Sequence, residues 1–143
     1  MERTSTCDSG IWSLFMLSVL VVDDSTVMRR MVKRSLEMAG LPLGRVFEAE
    51  NGFAALTLLV SHRIDLVLSD VNMPEMDGVE LVRQMSRANA TRGVPVVIVS
   101  TERSEPRIDE LRTLGVSAYL NKPFRPEELG HIVRRVLGVT EAQ

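Results

Sequence analysis

The chain has 143 residues, 45% of them hydrophobic and 25% charged, and its 17 basic residues nearly balance 19 acidic ones for a net charge of -2. That describes one domain of ordinary soluble composition, without the basic excess that holds nucleic acid. A single cysteine, Cys7, excludes a disulfide framework and a cysteine-based zinc site, so a reducing cytoplasm is the expected setting.

Residues 1–16 read as an N-terminal extension, polar and patternless to residue 10, flexible or else not native if Met16 is the natural start. The apolar run Ile11 to Val22 covers twelve residues and is interrupted only by Ser13 and Ser18. A bilayer needs about 20, and no small-residue cleavage site follows, so neither a membrane anchor nor a signal peptide is expected. The run instead leads into a first strand at Ser18 to Val22. A folded domain is expected over 17–138, followed by a short tail at 139–143.

From Asp24 the apolar period becomes helical, with Met28, Met31, Val32, Leu36 and Ala39 on one face, Asp24 and Ser25 as cap chemistry and Gly40 as terminator. Arg45 to Ala49 reads as a second strand, and Gly52 to Val60 as a second helix with Ala55, Leu56, Leu59 and Val60 on one side. Leu66, Val67 and Leu68 form a third strand covered on both faces, ended by Asp70 and by the turn that Met73-Pro74 enforces. Gly78 releases a third helix to about Arg87, with Val79, Val82 and Met85 inward. Val94 to Val99 is a β-branched run fit for a central parallel strand. Thr101 to Leu114 is the least apolar helix, hence the easiest to shift, with Ile108, Leu111 and Leu114 and with Pro106 in its first turn. Ser117 to Leu120 is a short fifth strand. The last helix carries Leu129, Ile132, Val133, Val136 and Leu137 at helical spacing. Strict alternation of five strands and five helices predicts an α/β domain, a parallel sheet wrapped on both sides. His62 and His131 have no His or Cys at ligand spacing and receive no role.

In such a sheet, ligands bind beyond the carboxyl ends of the strands. Strand one ends in Asp23-Asp24 and strand three in Asp70, so three carboxylates meet at that edge. Like charges so close need a cation or raised pKa values, and hard oxygen donors without His or Cys select Mg²⁺ or Mn²⁺. Strand four ends in the hydroxyl of Ser100 and strand five in the cation of Lys122. A phosphoryl group on Asp70 would need such a metal, a hydroxyl or N–H donor and a positive charge.

These residues fall in motifs that resemble the receiver domain of two-component response regulators, most closely the stand-alone, CheY-like chemotaxis type. The motifs are Val19-Leu20-Val21-Val22-Asp23-Asp24 with Ser25 to Arg30, then Ser69 to Gly78, Val99-Ser100-Thr101-Glu102, and Tyr119-Leu120-Asn121-Lys122-Pro123-Phe124. The resemblance spans roughly Ser18 to Leu137. It implies a flavodoxin-like (βα)5 fold of strand order 2-1-3-4-5. It implies further that Asp70 accepts a phosphoryl group from a histidine kinase. Asp24, Asp70 and the main-chain carbonyl of Asn72 would bind Mg²⁺ (or Mn²⁺) directly, and Asp23 through water. Lys122 and the backbone N–H of Thr101 would hold phosphoryl oxygens, and Ser100 would close onto them while Tyr119 turns inward. That switch would remodel the surface of helix four, strand five and helix five for an output protein. Lys122-Pro123 is expected to be a cis peptide, which only an X-Pro bond forms at modest cost.

The same likeness implies no conventional enzyme, but a phosphoacceptor that assists its own phosphorylation and dephosphorylation. Its partners would be the kinase, the output protein and a phosphatase, with neither nucleic acid nor membrane involved, in the cytoplasm, as a monomer or a phosphorylation-promoted dimer. Three positions depart from the chemotaxis subtype: Thr101 stands where alanine is frequent, Val71 replaces an aromatic residue, and Asn121 precedes the lysine. An aspartyl-phosphate phosphatase would want an acid where Asn72 stands. A nucleotide or flavin site would want a phosphate-cradling loop in place of Asp23-Asp24. The other reading is a receiver-shaped docking module that is never phosphorylated.

Overall fold

A computed structural model describes residues 16–138, so the expected N-terminal extension, apart from Met16, and the C-terminal tail lie outside the described residues. Five strands, β1 (Leu17–Val22), β2 (Leu43–Ala49), β3 (Leu66–Ser69), β4 (Val96–Ser100) and β5 (Ala118–Asn121), form one parallel sheet in the order β2-β1-β3-β4-β5. The helices are α1 (Thr26–Met38), α2 (Gly52–Ser61), α3 (Gly78–Arg87), α4 (Glu105–Thr113) and α5 (Pro126–Leu137). The α/β flavodoxin-like arrangement expected from the sequence is thus the observed one. Among the described residues no helix is long and apolar enough to cross a membrane.

Strand alternation divides the core in two. Leu20, Val22, Val67, Val96 and Ile98 face α2, α3 and α4, while Val19, Val21, Leu66, Leu68, Val97 and Val99 face α1 and α5. Each of these side chains is essentially out of water, which stabilises the fold by about 1.5–3 kcal/mol per residue before entropy is counted. The three inner strands are therefore apolar on both faces, as parallel strands under helices must be. The edge strand β2 is not: Gly44, Arg45 and Glu48 are exposed along it.

Two expected faces and one helix start are corrected. Met31 is 49% exposed and Val60 77% exposed. In α1 the inward stripe is Val32, Ser35 and Leu36, which leaves Met31 at its flank. Helix α2 is apolar nearly all round, so spacing could not tell that Ala55 and Leu59 face the sheet while Val60 faces out. The fourth helix starts at Glu105 rather than Thr101, because local bonds claim the segment before it. The Ser100 hydroxyl accepts from the N–H of Glu102 (3.1 Å), and the Glu102 carboxylate accepts from the N–H of Ser104 (2.9 Å). Such side-chain bonds compete with the helical ladder. The third helix runs as expected from Gly78 to Arg87, and the other ends shift by at most two residues.

Candidate functional site

Sheet register gathers the site. Val22 pairs with Ser69, Ser69 with Ile98, and Ser100 with Asn121, so all four strands end nearly level. The ladder then runs one step further: the N–H of Asp70 donates to Val22 (2.9 Å), that of Asp23 to Ala49 (3.0 Å), and that of Lys122 to Ser100 (3.0 Å). The chemistry-bearing residues are thus fixed by sheet bonds and not by loop packing. On the far side, Ser25 caps α1 by accepting from Met28 (3.2 Å), and Asp77 caps α3 by accepting from Glu80 (2.9 Å).

Asp23, Asp24 and Asp70 each offer a carboxylate oxygen, and these oxygens lie within 4.8 Å of one another. Asp23 is buried, Asp70 half-buried and Asp24 exposed. The Lys122 ammonium bridges two of them, donating to Asp23 Oδ2 (2.7 Å) and to Asp70 Oδ2 (3.1 Å). The other oxygens of that pair are also engaged: Asp23 Oδ1 accepts from the N–H of Ser25 (2.9 Å) and Asp70 Oδ1 from that of Val71 (2.6 Å). The Lys122–Pro123 peptide is cis.

Burial pushes the Asp23 carboxyl above the ordinary aspartate range, and the charge of Asp70 adds to this, against the hydrogen bonds from Lys122 and Ser25. For Lys122 burial acts downward, yet the hydrogen bond and charge of Asp23, with the charge of Asp70, hold the ammonium above the ordinary lysine value. The two directions describe one imbalance. A single lysine serves several carboxylates, so the lysine stays charged while the crevice remains short of positive charge. A hard divalent cation fits that deficit, since the donors are carboxylate oxygens and no His or Cys joins the cluster among the described residues.

Ser100 is the last residue of β4 and fully buried, whereas Thr101 after it is exposed. Tyr119 lies half-buried in β5 and donates its hydroxyl to the main-chain carbonyl of Glu102 (2.6 Å). Burial pushes its phenol up, opposed by the Ser100 hydroxyl, so Tyr119 stays neutral around pH 7. Asn72 is exposed two residues after Asp70, and its side-chain amide donates to Glu102 Oε1 (3.1 Å). Asp23, Asp24, Asp70 and Lys122 are therefore brought together, and Ser100, Tyr119 and Asn72 meet around residue 102 beside them.

Sequence reasoning assigned no role to three residues that the geometry puts near this site. Glu102 accepts from Asn72 and Ser104 and pairs with Arg107 (3.4 Å), which in turn pairs with the cap Asp77 (3.1 Å). Arg29 reaches back from α1 to the carbonyl of Asp23. The bonds of Arg29 to Glu48 and of Arg107 to Asp77 depend on which elements the fold makes neighbours, so spacing along the chain carried no signal for them.

Residues 19–134 match the response regulator receiver domain family. A chemotaxis protein CheY homolog from Campylobacter jejuni is 37% identical over 123 residues, covering 85% of this chain and 93% of that protein. Chemotaxis protein CheY1 of Helicobacter pylori is 36% identical over 126 residues, 87% of this chain and 100% of that protein. Among solved structures, chemotaxis response regulator CheY4 of Vibrio cholerae superposes with a TM-score of 0.77 at 37% identity, covering 86% of this chain and all of that one. With the family matched across its sheet and its acidic crevice, the chain belongs to the response regulator receiver domains, of the CheY-like type.

Proposed function

We propose that the chain is a phosphoacceptor of two-component signalling, in which a carboxylate oxygen of Asp70 attacks the phosphorus of a histidine kinase's phosphohistidine. The P–N bond breaks, the O–P bond of an acyl phosphate forms, and the imidazole leaves with a proton from solvent. The observation that carries this reading is the bridge of Lys122 to Asp23 and Asp70 beside Asp24, a nucleophilic carboxylate with a cation at hand and an acidic cluster short of positive charge.

Asp24, Asp70 and the carbonyl of Asn72 would hold Mg²⁺, with Asp23 acting through water. The ion supplies neutralisation between the carboxylates and the incoming phosphoryl oxygens. Lys122 keeps its ammonium against Asp70 and is placed to follow the phosphoryl oxygens. Buried Ser100 would turn its hydroxyl from the N–H of Glu102 to those oxygens, and the N–H of Thr101 would add a donor. Adding roughly two negative charges there gives the energy for the turn. Tyr119, whose hydroxyl is tied to the same residue 102, would follow it inward and reshape the face of α4, β5 and α5. Output would pass through that face to a protein partner, in a chemotaxis pathway by analogy with the CheY relatives, with the cytoplasm as setting.

The test is intact-protein mass spectrometry after incubation with acetyl phosphate and Mg²⁺, beside Asp70→Asn. A single phosphoryl adduct that requires Mg²⁺ and vanishes in the mutant is expected. Absence of an adduct, where a control receiver is labelled, would favour a docking module that is never phosphorylated.

A further inference from the structure

Arg29 is a side chain of α1 that donates from all three nitrogens of its guanidinium. Nη1 donates to the main-chain carbonyl of Asp23 (2.5 Å), Nε to Glu48 Oε1 on β2 (2.9 Å), and Nη2 to Thr26 Oγ1 (3.3 Å). Its side chain is 14% exposed; the bond to Asp23 is partly buried, while those to Glu48 and Thr26 lie at the surface. An ordinary surface ion pair to Glu48 would need only the Nε contact. The Nη1 contact falls on one particular peptide, the link between Asp23 and Asp24.

That peptide matters because it carries both acids of strand one. A peptide unit is planar, so fixing its carbonyl also fixes the N–H of Asp24, which points the opposite way. Asp23 is otherwise secured by its N–H to Ala49 and its carboxylate to Ser25 and Lys122. No hydrogen bond of the Asp24 side chain is among those described, and Asp24 is exposed. The orientation of its carboxylate therefore depends on the backbone ahead of it, and Arg29 is the group that clamps that backbone to β2.

We infer that Arg29 is a positioning residue for metal binding: by locking the Asp23–Asp24 peptide it presets the Asp24 carboxylate for the divalent cation. This rests on the metal-dependent reading above and adds to it a residue outside the acidic cluster. The two roles open to an arginine here predict opposite signs. An arginine acting only through its charge repels a cation, so its removal tightens metal binding. A positioning arginine weakens metal binding when removed, despite the lost repulsion.

The experiment is Mn²⁺ titration of the unphosphorylated full chain, with free Mn²⁺ read by electron paramagnetic resonance, for the parent, Arg29→Gln, Arg29→Lys and Arg30→Gln. Thermal unfolding of each shows that the chains titrated are folded. Arg29→Lys keeps the charge but cannot span Asp23, Glu48 and Thr26 at once, so it isolates geometry from charge. Loss of an outer partner that orients a metal ligand typically weakens metal binding 10-fold or more, so Arg29→Lys and Arg29→Gln should raise the Mn²⁺ Kd about tenfold. Arg30→Gln, which removes a charge from the exposed side of the same helix, should stay within about twofold of the parent or bind slightly tighter. Unchanged or tighter Mn²⁺ binding by folded Arg29→Lys would overturn the inference while leaving the phosphoacceptor reading intact. No Mn²⁺ binding by the parent would instead bring down the metal-dependent reading, and this inference with it.

Discussion

Gly78 decides how closely the start of α3 seats on the acceptor loop. Its N–H donates to Val71 (2.7 Å), and a Cβ there would strike the main-chain carbonyl oxygen of Asp70 and come within 2.9 Å of the Cα of Val71. Both obstacles are backbone and cannot turn aside. Gly78→Ala should lower stability by about 1–3 kcal/mol, seen as a fall in the urea midpoint at unchanged slope. An unaltered midpoint would mean that α3 does not rest on Asp70 in solution. Ser100 gives a second prediction at this scale, because Tyr119 is the only tyrosine and a fluorotyrosine label reports on it alone. Treatment with acetyl phosphate and Mg²⁺ should move that fluorine resonance in the parent and leave it nearly still in Ser100→Ala. An equal shift in both would break the proposed path through residue 102. Asp23, Asp24, Asp70, Ser100 and Lys122 were legible from sequence because each ends an apolar run, and a parallel sheet must bring such ends to one edge. Arg29, Glu102 and Arg107 were not, since a charged residue on a helix or loop reads the same whether it meets water or a distant partner.

The fourth helix shows what holds an element that apolar burial barely holds. Leu111 is its only buried residue, and α4 is tied to the rest by ion pairs: Arg107 to Asp77 and Glu102, and Arg83 of α3 to Glu110. Exposed pairs contribute about 0–1 kcal/mol each, so such a helix is seated but not fixed. Arg107→Ala should therefore speed amide exchange across Glu105 to Thr113 several-fold with little change in global stability. Uniform loss of protection through β3 and β4 would show instead that α4 unfolds only with the core. The pH dependence follows from Glu102. Hydrogen bonds from the Ser104 N–H and the Asn72 amide, with the Arg107 charge, hold its carboxyl below the ordinary glutamate range. A depressed carboxyl stabilises above its unfolded pKa, about 4.3, and that contribution is lost as pH falls through the lower folded value. Relative to intrinsic exchange at each pH, protection of α4 should thus fall first below about pH 4, before the core strands respond. Sequence pattern identified this helix as the weakly anchored one from its three apolar positions. It misplaced the start by four residues, because the bonds of Ser100 and Glu102 to backbone N–H groups have no periodic signature.

Across the whole molecule, two apolar layers meet on a sheet whose carboxyl edge collects negative charge. Folding has therefore assembled a site that a cation should stabilise by mass action. At a Mg²⁺ concentration 100 times its Kd, a cation that binds only the folded chain adds about 2.7 kcal/mol. The thermal midpoint should rise by several degrees with Mg²⁺ and much less for Asp24→Ala; equal shifts would place the stabilising ion elsewhere. Strand order and the two-sided core were legible because alternating elements allow few topologies. The outward sides of Met31 and Val60 were not, because apolar residues all round a helix hide which side meets the sheet.

The open flank of β2 carries one more consequence. A parallel sheet that is not closed leaves a row of backbone donors and acceptors free at each margin, a template onto which another chain could be added. The β5 margin is only four residues long. Along β2, Arg45 and Glu48 stand exposed, and the Arg45 guanidinium lies 4.4 Å over the ring of Phe47, covering the one large aromatic of that strand. An incoming strand would have to strip both charges of water before its first ladder bond formed. Two charged residues on the rim thus make edge-to-edge addition of a second copy costly.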